Sequence, residues 1–209
     1  MRKGLAVVGL LLGTAGLLLQ LLVSVPAMLD NGYSLPFALV KFFSYFTILT
    51  NILVVLVYAG ATVRGHRWLA PFRRPLTRAV AAASIALVMG FYEPVLADLW
   101  KPEGLFWVCD VTLHYVTPIL YLIWFAIWNR SGTLTLSRLP SMLVYPMVYV
   151  VYIMVRGAIV LEYPYPVLDA GVLGYARVGA NVVALIIFYS ILGALALLID
   201  RSLIWLKSR

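Results

Sequence analysis

The stretch of sequence that decides the fold class is Val108-Cys-Asp110-Val-Thr-Leu-His114-Tyr-Val-Thr-Pro118-Ile-Leu-Tyr-Leu-Ile-Trp-Phe125. It is mostly apolar, and with its flanks it reaches the roughly 20 residues that a membrane-spanning helix needs. An ionisable side chain at bilayer depth costs about 3 kcal/mol or more, so it usually faces the interior of a bundle and acts there. His114 and Asp110 are four residues apart and share one helix face. We predict a functional site around this pair; the alternative is that His114 only makes a packing hydrogen bond.

The composition of the whole chain is that of an integral membrane protein. Of its 209 residues 64% are hydrophobic and 11% are charged, whereas soluble domains are about half apolar and about a quarter charged. We predict a single polytopic domain, 1–209. The net charge of +8 does not indicate nucleic-acid binding, because the basic residues fall in short segments between apolar runs.

Six apolar stretches predict an all-α bundle of six transmembrane helices. The chain begins like a signal peptide, with Arg2 and Lys3 before an apolar run. That run continues to Val25, longer than the apolar region of about 7–15 residues in such peptides, so we expect a retained first span. The predicted spans lie near 4–29, 36–62, 74–93, 108–128, 139–161 and 177–199.

The distribution of basic residues predicts that both termini are cytoplasmic. With the N-terminus inside, twelve of the 16 basic residues fall in inner segments, as the positive-inside rule requires. The four on the outer side are Lys41, Lys101, Arg156 and Arg177.

The second predicted span carries a polar cluster made of Thr47, Thr50 and Asn51. Hydroxyls in apolar helices often bond only the carbonyl four residues back. Counting 1.5 Å per residue along the helices, however, places Thr47 and His114 in the same outer half of the bundle. A hydroxyl beside a histidine that a carboxylate supports is the arrangement of an activated nucleophile. Thr50 stays open as the alternative hydroxyl.

The fifth predicted span carries a stripe of tyrosines on one helix face: Tyr145, Tyr149 and Tyr152. They form either ordinary helix packing or one wall of a lipid cavity, with Arg156 near its mouth to bind a carboxylate or phosphate. We expect neither metal nor cofactor, because the spans contain one histidine and no cluster of His, Cys and carboxylate ligands.

Three short motifs of the chain form a recognisable combination: Phe46-Thr47, Leu113-His114 with Pro118, and Tyr163-Pro-Tyr-Pro166-Val-Leu-Asp169 with Gly174-Tyr-Ala-Arg177. With them the chain resembles the androgen-induced-gene-product-like family of six-span membrane proteins, especially its compact bacterial relatives. Animal members are intramembrane threonine hydrolases of fatty acid esters of hydroxy fatty acids. The resemblance implies that Thr47 is the nucleophile and His114 the base, that the substrate is a membrane lipid or lipid-like ester, and that the chain lies in a bacterial cell membrane.

We therefore expect a threonine-type ester hydrolase, in which Asp110 orients His114 and Asn51 donates to the oxyanion. The rival expectation is a non-enzymatic lipid-binding protein or a proton-coupled transporter. That protein would use His114, Asp110, Glu93 and Arg156 as a relay.

Overall fold

The computed structural model describes residues 2–63, 65–99, 101–128 and 131–207, and short 3-10 turns connect its helices. The sixth helix follows directly on a π-helical turn at Thr112–Val116. The helices of the described residues are α1 (Arg2–Asp30), α2 (Leu35–Phe42), α3 (Phe46–Thr62), α4 (Pro75–Val95), α5 (Gly104–Val111), α6 (Thr117–Trp128), α7 (Leu139–Val160) and α8 (Ala170–Lys207).

The predicted all-helical class is confirmed. Five helical segments of the described residues are long and apolar enough to cross a membrane, and α2 with α3 makes a sixth if the two count as one broken span. Large apolar side chains cover the outside of the bundle; for example, Leu22 is 69% exposed and Ile159 is 75% exposed. Extensive exposed apolar surface is typical of a surface that contacts membrane lipid.

The helix predicted over 36–62 is broken at residues 43–45, where α2 and α3 meet at a bend of 71°. The Ser44 hydroxyl donates to the Val40 carbonyl at 2.7 Å, and the Ser44 carbonyl accepts a hydrogen bond from Tyr149 of α7 at 2.9 Å. These contacts satisfy polar groups that the bend would otherwise leave without partners. The break makes Thr47 the second residue of a new helix rather than an interior residue of a long one.

The fourth predicted span, 108–128, starts earlier, at Gly104, and contains the π-helical turn with His114 near its centre. Pro118 has no N–H to donate to the His114 carbonyl, and a proline ring crowds the carbonyl four residues before it. We attribute the widened turn to this proline. Such turns inside helices occur frequently at functional sites.

The sixth predicted span, 177–199, also starts earlier, because α8 begins at Ala170. Gly174 interrupts its regular path with φ 74° and ψ 155°. A positive φ of this size is readily adopted only by glycine. The segment before Gly174 therefore leaves the direction of the main helix.

Aromatic side chains of α3 and α6 form the core at the end of the bundle that is opposite to the α7–α8 loop (residues 161–169). Tyr58, Tyr121 and Trp124 are fully buried, and the Tyr58 and Trp124 ring centroids are 4.9 Å apart. Helix α1 packs on α3 with Gly9 directly over Tyr58, where an added Cβ would lie 2.4 Å from the ring. Glycine at this position allows the two helices to approach closely.

Gly9→Ala is expected to lower stability by about 1–3 kcal/mol, because the methyl group must displace a buried ring. Gly4→Ala is the matched control on the same helix, since an added Cβ there meets nothing within 4 Å. Thermal unfolding in one neutral detergent measures both. Alanine is the better helix former, so the control is expected to melt at or above the wild-type temperature. Equal melting temperatures of the two variants would contradict the close packing of Gly9 on Tyr58.

Candidate active site

The centre of the site is a contact between the first turn of α3 and the π-helical turn. Thr47 Oγ1 lies 3.4 Å from His114 Nε2. The Thr47 residue is 9% exposed and the His114 side chain 16%. The break before α3 and the widened turn before α6 thus bring together two side chains that are 67 residues apart in the sequence.

The opposite ring nitrogen of His114 is held by Asp110, one turn earlier in the chain. Nδ1 lies 3.0 Å from Asp110 Oδ1 and 3.1 Å from the Asp110 carbonyl oxygen. A proton on Nδ1 satisfies these acceptors and leaves the Nε2 lone pair directed at the Thr47 hydroxyl. The Tyr92 ring stacks on the imidazole with centroids 3.8 Å apart, which restrains its rotation. Imidazole position and tautomer are therefore both determined by neighbours.

Asn51 is fully engaged in supporting this contact. Its amide nitrogen donates to the Thr47 carbonyl at 2.9 Å and to the Leu113 carbonyl at 3.2 Å, and its oxygen accepts from Thr117. An amide has two N–H groups, so none remains for an oxyanion. Asn51 instead joins α3 to the π-helical turn, which differs from the oxyanion role that the sequence suggests.

The structure separates the two threonines of the polar cluster. Thr47 lines two cavities, described below, whereas Thr50 is completely buried and lines neither of them. A nucleophile must be reached by its substrate, so this geometry favours Thr47.

Tyr165 in the α7–α8 loop (residues 161–169) completes the site, and sequence analysis did not single it out. Its hydroxyl oxygen accepts a hydrogen bond from the Thr47 backbone N–H at 3.4 Å, and its ring packs edge-on against Tyr45. Withdrawal of the hydroxyl from water raises the pKa of Tyr165 to about 12, so it stays protonated near neutral pH. The signal in the sequence was the Tyr163-Pro-Tyr-Pro166 run, which is one of the motifs of the family resemblance.

Two cavities meet at the contact between Thr47 and His114, and these two residues and Tyr165 line both. The smaller, about 80 Å³, lies between α3, α4, α7 and α8 and is almost entirely apolar. The larger, about 490 Å³, lies between α1, α2, α3 and α5 and carries polar side chains, including Asp110 and Lys41. Ligand sites commonly have volumes of about 300–1,000 Å³ and a few placed polar groups among apolar walls.

The α7 residues predicted to bind substrate have different positions. Tyr149 lines the small cavity while donating to Ser44. Tyr152 lines neither cavity, is 40% exposed, and its hydroxyl lies 2.9 Å from the Ser44 hydroxyl. Its contact supports the α2–α3 break.

Arg156 also lines neither cavity, because it binds the α7–α8 loop. Its guanidinium donates to the Glu162 carbonyl at 2.9 Å and to the Glu162 carboxylate at 3.1 Å. Lys41 of α2 contacts the other carboxylate oxygen at 2.9 Å. Burial raises the pKa of Glu162, but the hydrogen bonds from Lys41 and Arg156 outweigh it, and the pKa is lowered overall. Arg156, which the sequence predicts to bind substrate, therefore stabilises the position of the loop that carries Tyr165.

No protein-family model, curated protein or solved structure matches this chain.

Proposed function

We propose that this protein is an intramembrane hydrolase of fatty-acyl esters, with Thr47 as nucleophile and His114 as general base. The observation that carries the proposal is the continuous contact from Asp110 through His114 to Thr47, with separations of 3.0 Å and 3.4 Å. A hydroxyl within reach of a base that a third group orients is the general signature of an activated nucleophile. Distances somewhat over 3.2 Å are common before substrate binds.

The reaction follows from these positions. His114 Nε2 takes the proton of Thr47 Oγ1 while that oxygen attacks the ester carbonyl carbon. The alcohol leaves with the proton from His114, and the acyl group remains on Thr47. Water, deprotonated by His114, then attacks the acyl-threonine; the acid leaves and the proton returns to Thr47. Asp110 stabilises the charged imidazole in both steps.

The negative charge on the carbonyl oxygen develops beside the N-terminus of α3. The amides of the first helical turn lack partners within their own helix, and the helix dipole gives this end a partial positive charge. The Tyr165 hydroxyl oxygen accepts from the Thr47 amide, which places its O–H beside this helix terminus. We assign Tyr165 as the oxyanion donor in place of Asn51.

Tyr165→Phe is expected to lower kcat by about 10²–10³ with a small change in KM, as for other single oxyanion donors. Tyr163→Phe is the matched control, because Tyr163 belongs to the same loop and lines neither cavity. Initial rates on a medium-chain nitrophenyl ester measure both variants. Equal rates for the two would remove Tyr165 from the mechanism.

The resemblance described above supports a substrate of the hydroxy-fatty-acid ester type, drawn from membrane lipids or lipid-like esters. Two cavities that meet at the contact between Thr47 and His114 suit an ester, since they leave space on both sides of the bond, most of it in the large cavity. We further propose that both termini are cytoplasmic, which the excess of basic residues in the predicted inner segments supports. The resemblance supports a location in a bacterial cell membrane.

A second candidate is a transporter or lipid-binding protein, favoured by the position of the Asp110–His114 pair on the wall of the large cavity. Labelling with a fluorophosphonate distinguishes the two. In the hydrolase an activated oxygen attacks phosphorus, fluoride leaves, and a stable phosphonate ester forms; a transport site has no such nucleophile. The hydrolase proposal predicts labelling that an ester substrate suppresses. No labelling, together with no ester turnover by purified protein, would contradict it.

A further inference from the structure

A cationic side chain lies on the wall of the large cavity, where the hydrolase mechanism does not use it. Lys41 lines this cavity together with Tyr33, and its Nζ lies 3.4 Å from the Tyr33 hydroxyl oxygen. Its side chain is 22% exposed. Protein atoms cover most of this side chain, and its ammonium is among the groups that a ligand in the cavity would meet.

The charges around Lys41 do not cancel. Glu162 is bound by Lys41 at 2.9 Å and by Arg156 at 3.1 Å, so two cations share one carboxylate. An ammonium has three donors, and Glu162 and Tyr33 account for two. One donor and one net positive charge remain. The acidic residue on the same cavity wall, Asp110, is bound to His114.

Apolar side chains form most of the remaining wall. They come from α1, α2, α3, α5, the π-helical turn and the segment after α4, and the cavity of about 490 Å³ continues past them to Thr47 and His114. A cation beside an apolar chamber suits a ligand with a charged head and an aliphatic chain. The apolar lining residues include Met28, Phe42, Ile48, Leu96, Phe106 and Leu113.

We propose that the large cavity is a binding site for an anionic amphiphile, whose carboxylate or phosphate binds Lys41 and whose chain extends toward Thr47. Binding of such a ligand does not depend on the proposed hydrolase function. If the ligand is the alcohol side of the ester substrate, the inference rests on the proposed function, and Lys41 is then a specificity-determining residue. A neutral ester would leave the Lys41 ammonium without an anionic partner in the cavity. The site is therefore expected to select against a neutral ester.

Binding to the Thr47→Ala protein tests the site without hydrolysis. Oleate, oleyl alcohol and oleoyl lysophosphatidate would be titrated by calorimetry in one neutral detergent. We expect at least one of the two anions to bind about tenfold or more tighter than the alcohol, as for hydrogen bonds to charged groups. Tighter oleate binding would identify a carboxylate ligand, and tighter lysophosphatidate binding a phosphate headgroup.

Substitutions assign that preference to a residue. Lys41→Gln is expected to abolish the preference for the anion, and Lys41→Arg to retain most of it. Lys101→Gln is the control, because Lys101 is exposed and lines neither cavity. This variant is expected to prefer the anion as strongly as the Thr47→Ala parent protein does. Equal affinity of the parent for all three ligands, or an unchanged preference in Lys41→Gln, would overturn the proposal.

The two proposals fail separately. Anion-selective binding without ester turnover in the wild-type protein would leave the binding site in place and remove the hydrolase. The opposite result is turnover of a neutral ester and of its carboxylate-bearing counterpart at equal kcat/KM, without anion-selective binding. It would leave the hydrolase in place and remove the anion-binding site.

Discussion

Thr47→Ala is expected to lower ester turnover by roughly 10⁴- to 10⁶-fold, as removal of a catalytic nucleophile does in other hydrolases. The variant deletes the oxygen that lies 3.4 Å from His114 Nε2 and leaves the rest of the site in place. Initial rates of the purified protein measure the loss. Thr47→Ser restores a hydroxyl and is expected to retain part of the activity.

Thr50→Ala is the matched control for this result. It makes the same chemical change one residue before Asn51, at a buried position away from both cavities. We expect its activity to remain within a few-fold of wild type. Melting temperatures of the purified variants must agree, so that lost activity is not lost folding. A silent Thr47→Ala with an inactive Thr50→Ala would mean that the nucleophile has been assigned to the wrong threonine.

His114→Ala is the substitution with the second largest expected effect. General base catalysis contributes about 10²–10⁴-fold, and an unassisted alcohol is a poor nucleophile near neutral pH. Both the turnover of an ester and the rate of fluorophosphonate labelling are expected to fall by that factor. Because alanine removes the ring on which Tyr92 stacks, His114→Gln provides a second variant of closer size, with the same expected loss.

His66→Ala controls for general effects of losing a histidine. His66 is exposed and lies between α3 and α4, outside both cavities. Its variant is expected to keep wild-type turnover. If His114→Gln labels at the wild-type rate while remaining folded, proton transfer to His114 is not part of the reaction.

Much of the fold class could be predicted from the sequence, because apolar runs long enough for a bilayer have few alternative structures. The neighbourhood of Asp110 and His114 was also predictable, since a spacing of four residues fixes a shared helix face. Pro118 was a readable signal for the irregular turn, because a proline inside a helix removes a backbone hydrogen bond.

The remaining features depend on distant partners. The α2–α3 break is stabilised by Tyr149 and Tyr152, which lie more than a hundred residues further along the chain. Arg156 is the exception: its partner Glu162 is only six residues further along the chain, but their contact depends on the folded path of the α7–α8 loop. Local spacing carries no information about such pairs. For the same reason the proximity of Tyr165 to Thr47 could not be predicted.

In the proposed mechanism the Thr47 hydroxyl is the nucleophile. The most direct measurement is peptide mass spectrometry of wild-type protein after reaction with a fluorophosphonate, which locates the phosphonate ester on a single residue. We expect one adduct, on Thr47, that is absent from the Thr47→Ala protein and forms about 10²–10⁴-fold more slowly in the His114→Ala protein. An adduct on Thr50, Ser44 or any other residue, with Thr47 unmodified, would contradict it.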